Sequence, residues 1–418
     1  MNKLVIEGGN PLNGEITVQG AKNAVLPILA ASILSGGVCE IHNCPWLRDV
    51  EKTKVILEEL GCKVERCDDT LCVDSSVINN CRIDEGLMRE MRSSIIFLGS
   101  ILSACKKAEV GLPGGCPIGL RPIDLHIKAL RQMGVTITEE YGYLKCECNK
   151  LRAADIHLDF PSVGATENIM LAAVKTEGTT VITNAAREPE IVDLANFLNL
   201  MGARIKGAGS SIIAIEGVKK LHPIEYTIMA DRIVTQTYLI GAMITGGEIL
   251  VKNTEPTHIS SGLSLLSQMG ADIECKKKQV FLKSRGTIKS VDMIKTMPYP
   301  GFPTDIQSPF MALASLADGT SVFVENIFEN RFRHVDELIR MGADIKVEGR
   351  SAVIRGVKRL YGASVEAYEL RGGAALVLAA LAAVGQTVVG GVEFIDRGYE
   401  NIEGCLSQCG AVIKRINL

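Results

Sequence analysis

LSQMGADI (Leu266 to Ile273) and LIRMGADI (Leu338 to Ile345) are nearly one phrase written twice, and four further copies stand along the chain. They are LEELGCKV (Leu57 to Val64), LRQMGVTI (Leu130 to Ile137), LNLMGARI (Leu198 to Ile205) and LSQCGAVI (Leu406 to Ile413). Their glycines, Gly61, Gly134, Gly202, Gly270, Gly342 and Gly410, are separated by 73, 68, 68, 72 and 68 residues. In each copy a helix-like apolar stretch meets a glycine and then a strand-like run. Glycine supplies the left-handed helix end that other residues resist. A spacing near 70 is too long for an ordinary solenoid repeat, so each unit reads as a small α/β module.

A second phrase recurs out of phase, in which an Ala-rich apolar helix leads into a short strand that ends in Asn. It closes at Asn43, Asn184, Asn253 and Asn326. Each module is therefore expected to hold two helices and several short strands. The opening KLVIEGGNPL resembles the hairpin strand that recurs near Glu216 and Arg355, without its preceding half. The closing GAVIKRINL supplies that half, so one module should be completed by both chain ends. The 418 residues suit two domains of three modules each.

Composition excludes several classes. A net charge of −3 gives no field that would draw the chain to nucleic acid or anionic membrane. The longest apolar run, Gly372 to Gly385, falls short of the ~20 residues that a membrane span needs. No basic segment followed by an apolar core opens the chain. Thirteen cysteines, an odd number scattered over helix and strand positions, fit reduced thiols and a cytoplasmic location. Cys62, Cys67, Cys72, Cys146 and Cys148 lack the paired C-x-x-C arms of a zinc site, and neither metal nor cofactor is expected. Nothing in the sequence reports an oligomeric state.

A few segments carry more than the repeat demands. QGAKNAVLP places Lys22 and Asn23 at the mouth of an apolar helix, either as a solvated start or as an anion site. Gly111 to Pro122 holds too many glycines and prolines for regular structure, and a loop of that length suits a lid. Cys116 lies at its centre between Gly115 and Pro117, a context that favours an exposed thiol over a packed one. Arg121, Asp124 and His126 follow at the start of the next helix. Ser162 to Thr166 either caps a helix or adds a phosphate edge on the same N–H groups. Asp305 sits in a Pro-bracketed turn, Arg331 and Arg333 precede a helix, and Glu369 with Arg371 heads an Ala/Leu helix. Arg92, Arg121, Arg331, Arg371 and Arg397 together would surround an anionic substrate.

PGGC-x-IG-x-RP-x-DLH (Pro113 to His126), SVGAT (Ser162 to Thr166), NAAREPEIVD (Asn184 to Asp193), FPTD-x-Q (Phe302 to Gln307) and ENRF-x-H (Glu329 to His334) stand in this order. With QGAKNA and DRGYE at the two ends, the chain resembles the UDP-N-acetylglucosamine 1-carboxyvinyltransferases. These are enolpyruvyl transferases that commit sugar nucleotide to peptidoglycan. The resemblance implies a two-domain inside-out α/β barrel of six βαβαββ-type units, with the active site between the domains. One domain would span 21–228, carrying the Cys116 loop, and the other would combine 1–20 with 229–418.

The resemblance also implies roles. Lys22, Arg121 and Arg397 would hold phosphoenolpyruvate. Asn23, Arg92, Arg121, Pro122, Ile123, Asp124, Leu125, Ser162, Val163, Gly164, Asp305 and Ile327 would hold UDP-N-acetylglucosamine. Cys116 would be the lid thiol near C3 of phosphoenolpyruvate, and Asp305 the base at the sugar hydroxyl. Arg331, Glu369 and Arg371 would complete the substrate site. The chain departs from the family pattern at Glu369, where Asp is usual, and at Phe160-Pro161, where some relatives carry Lys. A silent paralogue that only binds sugar nucleotide need not keep both Cys116 and Asp305. An RNA-phosphate cyclase of related modules is disfavoured by the near-neutral charge and the lack of a nucleophilic His motif.

Overall fold

The computed structural model describes residues 2–114, 118–119 and 122–417. Cys116 and Arg121 lie outside the described residues. All six repeat glycines have positive φ, from 87° at Gly134 to 110° at Gly270, the backbone state that a side chain resists. Each ends a helix and turns the chain into a hairpin strand.

The described strands form six four-stranded sheets of one pattern. A short leading strand runs parallel to the next, and an antiparallel hairpin completes the sheet. In one module Asp155–His157 pairs in parallel with Thr179–Thr183, which pairs antiparallel with Ile212–Glu216, and that in turn with Arg204–Lys206. Helix Val163–Ala173 joins the first two strands and helix Pro189–Leu200 precedes the hairpin, giving βαβαββ. The recurring Asn ends the middle strand and ties it to the backbone after the leading strand. Asn43, Asn184, Asn253 and Asn326 donate from Nδ2 to the carbonyls of Ile228, Leu158, Val18 and Thr296 at 2.9, 2.7, 2.8 and 3.1 Å.

The chain divides into two compact units, one of residues 20–116 and 121–229, the other of 1–19, 117–120 and 230–418. In the first unit the helices lie inside. Every residue of Val163–Ala173 from Ala165 onward is buried, as is nearly all of Lys22–Ser32. A helix that is apolar all round has no solvent face. The sheets cover these helices, and their strands alternate buried and open residues, as in Glu248–Lys252 of the other unit.

In the second unit helices Arg232–Thr245, Gln307–Ala314 and Leu370–Ala382 pack together. Gly241 permits a close approach there, since a Cβ on it would lie 3.2 Å from both Leu12 and Leu378. The first strand, Asn2–Glu7, lies between Gln386–Gly390 and the last strand, Val412–Asn417, and is antiparallel to both. Both chain ends thus complete one sheet. Both units show the inside-out α/β arrangement, with helices inside and sheets outside. No helix among the described residues is long and apolar enough to cross a membrane.

Candidate functional site

The candidate residues fall into two sets, one in each unit. In the unit of residues 20–116 and 121–229, Lys22 begins helix Lys22–Ser32 after Ala21, which offers no side-chain cap. The first-turn N–H groups therefore depend on other partners. Lys22 is 9 % exposed, and its Nζ lies 2.7 Å from Asp49 Oδ2. Asp49 is a buried first-turn acid of helix Arg48–Glu59 that the sequence reading did not single out. Asn23 beside it is half-buried.

Arg92 opens the short 3-10 helix Arg92–Ile96, and its guanidinium donates to the Gly114 carbonyl at 3.1 Å. Pro122 and Asp124 are exposed, while Ile123 and Leu125 are half-buried around the start of helix Asp124–Gln132. Ser162 caps helix Val163–Ala173, and its hydroxyl accepts from Ala165 N at 3.3 Å. The capping expected there is present, and Ser162, Val163 and Gly164 remain half-buried at the helix mouth.

Behind this mouth lie acidic groups. Glu167 is fully enclosed, and burial, reinforced by Glu190 and then Glu188, raises its pKa well above the usual carboxylate range. Asp193 is raised to about 6, mainly by burial, while Tyr226 donates to it at 2.7 Å.

In the other unit, Asp305 lies in the turn Thr304–Ile306 ahead of helix Gln307–Ala314. Arg331, only 2 % exposed, donates to Asp305 Oδ1 at 3.0 Å and to the Thr304 carbonyl at 3.1 Å from the same nitrogen. Arg371 Nε stands 3.6 Å from the same Oδ1. One carboxylate oxygen thus faces two buried guanidiniums. Glu369 caps helix Leu370–Ala382, accepting from Arg371 N at 2.8 Å and from Gly372 N, and lies 3.5 Å from Arg331 NH1. Its longer side chain therefore both caps the helix and reaches the arginine. Burial opposes the Arg371 charge, but Asp305, Tyr399 and Asp231 outweigh it and raise its pKa. Ile327 donates its backbone N–H to Glu325 at 2.7 Å.

The sequence reading set these arginines just before helices, around an anionic substrate, and did not foresee their carboxylate partners. Arg331 and Arg371 are instead buried and already paired with carboxylates. Among the described residues, Arg371 NH1 and both ring nitrogens of His334 lack a hydrogen-bond partner. Burial and then Arg331 push the His334 pKa down to about 3, so the ring is neutral. A backbone contact to Arg331 opposes that shift without meeting normal hydrogen-bond geometry.

Arg397 is half-buried. The neighbouring Asp396 is held by Arg415 of the last strand through two contacts of 2.8 Å, and Arg415 also reaches Glu403 at 2.6 Å. The Arg397 turn is thereby fastened to the sheet that both termini complete. Ile118, from the Gly-rich loop, accepts from Asn330 N at 2.9 Å, within the ENRF segment.

A cationic array around an acid, set at the heads of buried helices, suits transfer between anionic substrates. Residues 6–406 match the family described as EPSP synthase (3-phosphoshikimate 1-carboxyvinyltransferase), and the chain belongs to that family of carboxyvinyl transferases. Within it, the chain is 54 % identical over 416 residues to UDP-N-acetylglucosamine 1-carboxyvinyltransferase 2 of Caldanaerobacter subterraneus subsp. tengcongensis, covering 100 % of both. It is 50 % identical to UDP-N-acetylglucosamine 1-carboxyvinyltransferase 1 of Carboxydothermus hydrogenoformans, over 100 % of this chain and 99 % of that one. Among solved structures, the enolpyruvyl transferase NikO from Streptomyces tendae shares the fold with a TM-score of 0.90 at 23 % identity, over 100 % of this chain and 99 % of that one. EPSP synthase from Acinetobacter baumannii gives 0.77 at 20 %, with both chains fully covered.

Proposed function

We propose that this chain transfers the enolpyruvyl group of phosphoenolpyruvate to the 3-hydroxyl of UDP-N-acetylglucosamine and releases phosphate, the first committed step of peptidoglycan synthesis. The observation that carries this reading is the Asp305 carboxylate fixed between Arg331 and Arg371. The full-length relatives named for that reaction support it.

In this account, protonation of phosphoenolpyruvate at C3 makes C2 electrophilic. The sugar 3-hydroxyl oxygen bonds to C2 as Asp305 takes its proton. The resulting tetrahedral species then loses a C3 proton, its bond from C2 to the phosphate oxygen breaks, and phosphate leaves. Cys116 is the proposed proton donor at C3. Lys22, Arg121 and Arg397 neutralise the carboxylate and phosphate, and Arg331 and Arg371 hold the Asp305 carboxylate in position. Asn23, Arg92, Arg121 to Leu125, Ser162 to Gly164, Asp305 and Ile327 hold the sugar nucleotide. Glu369 keeps Arg331 and the head of its helix in place.

The twelve described cysteines are all free thiols, which fits a reducing cytoplasm. Incubation with both substrates tests the reading. Phosphate should appear only when both are present, matched by a product one enolpyruvyl heavier than the sugar nucleotide. Folded protein that binds UDP-N-acetylglucosamine without releasing phosphate would instead be a silent paralogue.

A further inference from the structure

Glu325 is only 1 % exposed, and it is an extra residue in its module. In three other modules the recurring Asn directly follows the residue whose carbonyl accepts from the end of the leading strand. Those residues are His42, Thr183 and Lys252, which accept from Ile228 N, Leu158 N and Val18 N. In the Asp305 module the matching residue is Val324, which accepts from Thr296 N at 3.0 Å, and Glu325 stands between it and Asn326. The repeat therefore does not call for this acid.

Its two carboxyl oxygens reach different segments. Oε1 accepts from Thr296 Oγ1 at 2.9 Å, from Ile327 N at 2.7 Å and from Phe328 N at 3.0 Å. Backbone N–H groups can only donate, and Thr296 Oγ1 itself accepts from Asn326 N at 2.8 Å, which leaves its proton for Glu325. Oε2 accepts from Thr304 Oγ1 at 2.9 Å, in the turn that carries Asp305. Thr304 is thus held on two sides, because its carbonyl accepts from Arg331.

We propose that Glu325 is a positioning residue that sets the Asp305 turn against the sugar-nucleotide segment at Ile327. This rests on the function proposed above. Knitting its own loop would need only Oε1 with Thr296, Ile327 and Phe328. The Oε2 bond is the one that reaches the turn of the base, and it depends on the length of the side chain. The role needs reach and acceptor oxygens rather than proton transfer, because orientation at the reacting atoms is what it supplies.

Reach and charge can be separated. Glu325→Gln keeps the length and the Oε1 acceptor, and its amide can donate to Thr304 Oγ1, so kcat should stay within about threefold of the parent. Glu325→Asp keeps the charge but is one methylene short of spanning both segments. Its kcat should fall about tenfold, the value of one lost hydrogen bond. Thr304→Val removes the Oε2 bond alone and should lower kcat by a similar factor, with KM for UDP-N-acetylglucosamine unchanged, and Thr304→Ser should restore it. Rates are compared between variants that melt cooperatively, and if Glu325→Asp does not fold the Thr304 pair decides. Turnover by Glu325→Asp equal to or above that of Glu325→Gln, or parental kcat in Thr304→Val, overturns the proposal. Folded parent protein that releases no phosphate from the two substrates overturns the functional reading itself.

Discussion

Arg331 donates to Asp305 Oδ1 at 3.0 Å from a side chain that is almost wholly enclosed. The acid is therefore held at a set angle by a group that has no room to move. Asp305→Asn keeps the shape and removes the base. It should lower kcat by about 10²- to 10⁴-fold while leaving the fold intact by circular dichroism. A variant with parental kcat would remove Asp305 from the chemistry.

His334 gives the unit a pH dependence of known sign. Its folded pKa lies at about 3 against the ordinary 6.5. Below pH 6.5 the unfolded chain takes up a proton that the folded state refuses. The stability present above 6.5 is then lost as pH falls toward 3, by up to about 1.4 kcal/mol per pH unit. His334→Phe forfeits no hydrogen bond and should remove this component. Urea unfolding at pH 7 and pH 5 should show a shallower loss for the variant. An equal loss in both proteins would place the proton elsewhere.

Cys116 should be the thiol that fosfomycin marks first. Burial pushes the Cys62 and Cys146 thiols up to about 12 and Cys409 to about 11, and raises Cys39, Cys105 and Cys405. A thiol needs its thiolate to open an epoxide, so these are poor competitors. Mass spectrometry of the treated protein should locate one adduct at Cys116, absent in Cys116→Ser. An earlier adduct at exposed Cys67 would reject this order.

Much of the fold could be read from the chain because its signals are local and repeated. The six glycines and the recurring Asn each report a backbone state set within a few residues. The joining of the termini was legible because one module lacked half a hairpin. The ion pairs were not. Asp49 on Lys22 and Arg415 on Asp396 join residues 27 and 19 positions apart, through directions that only packing decides. For the same reason the enclosure of Arg331 and Arg371 beside Asp305 could not be read from their positions before helices.

Removing residues 1–8 tests the shared sheet. Strand Asn2–Glu7 has neighbours on both sides, and Leu4 and Ile6 are fully buried. Losing these two side chains alone forfeits about 1.5–3 kcal/mol each. The melting temperature should drop by roughly 10 °C or more, or cooperative unfolding should vanish. An unchanged transition would mean that the strand is dispensable.

The central claim is addition to C2 and elimination from C3, and turnover in deuterium oxide probes it most directly. The protein is mixed with phosphoenolpyruvate and UDP-N-acetylglucosamine, and the product is weighed by mass spectrometry. The account predicts an enolpyruvyl sugar nucleotide carrying deuterium in its vinyl group, because C3 becomes a methyl and then loses one hydrogen. Product without deuterium would contradict the mechanism, and no product from folded protein would contradict the function.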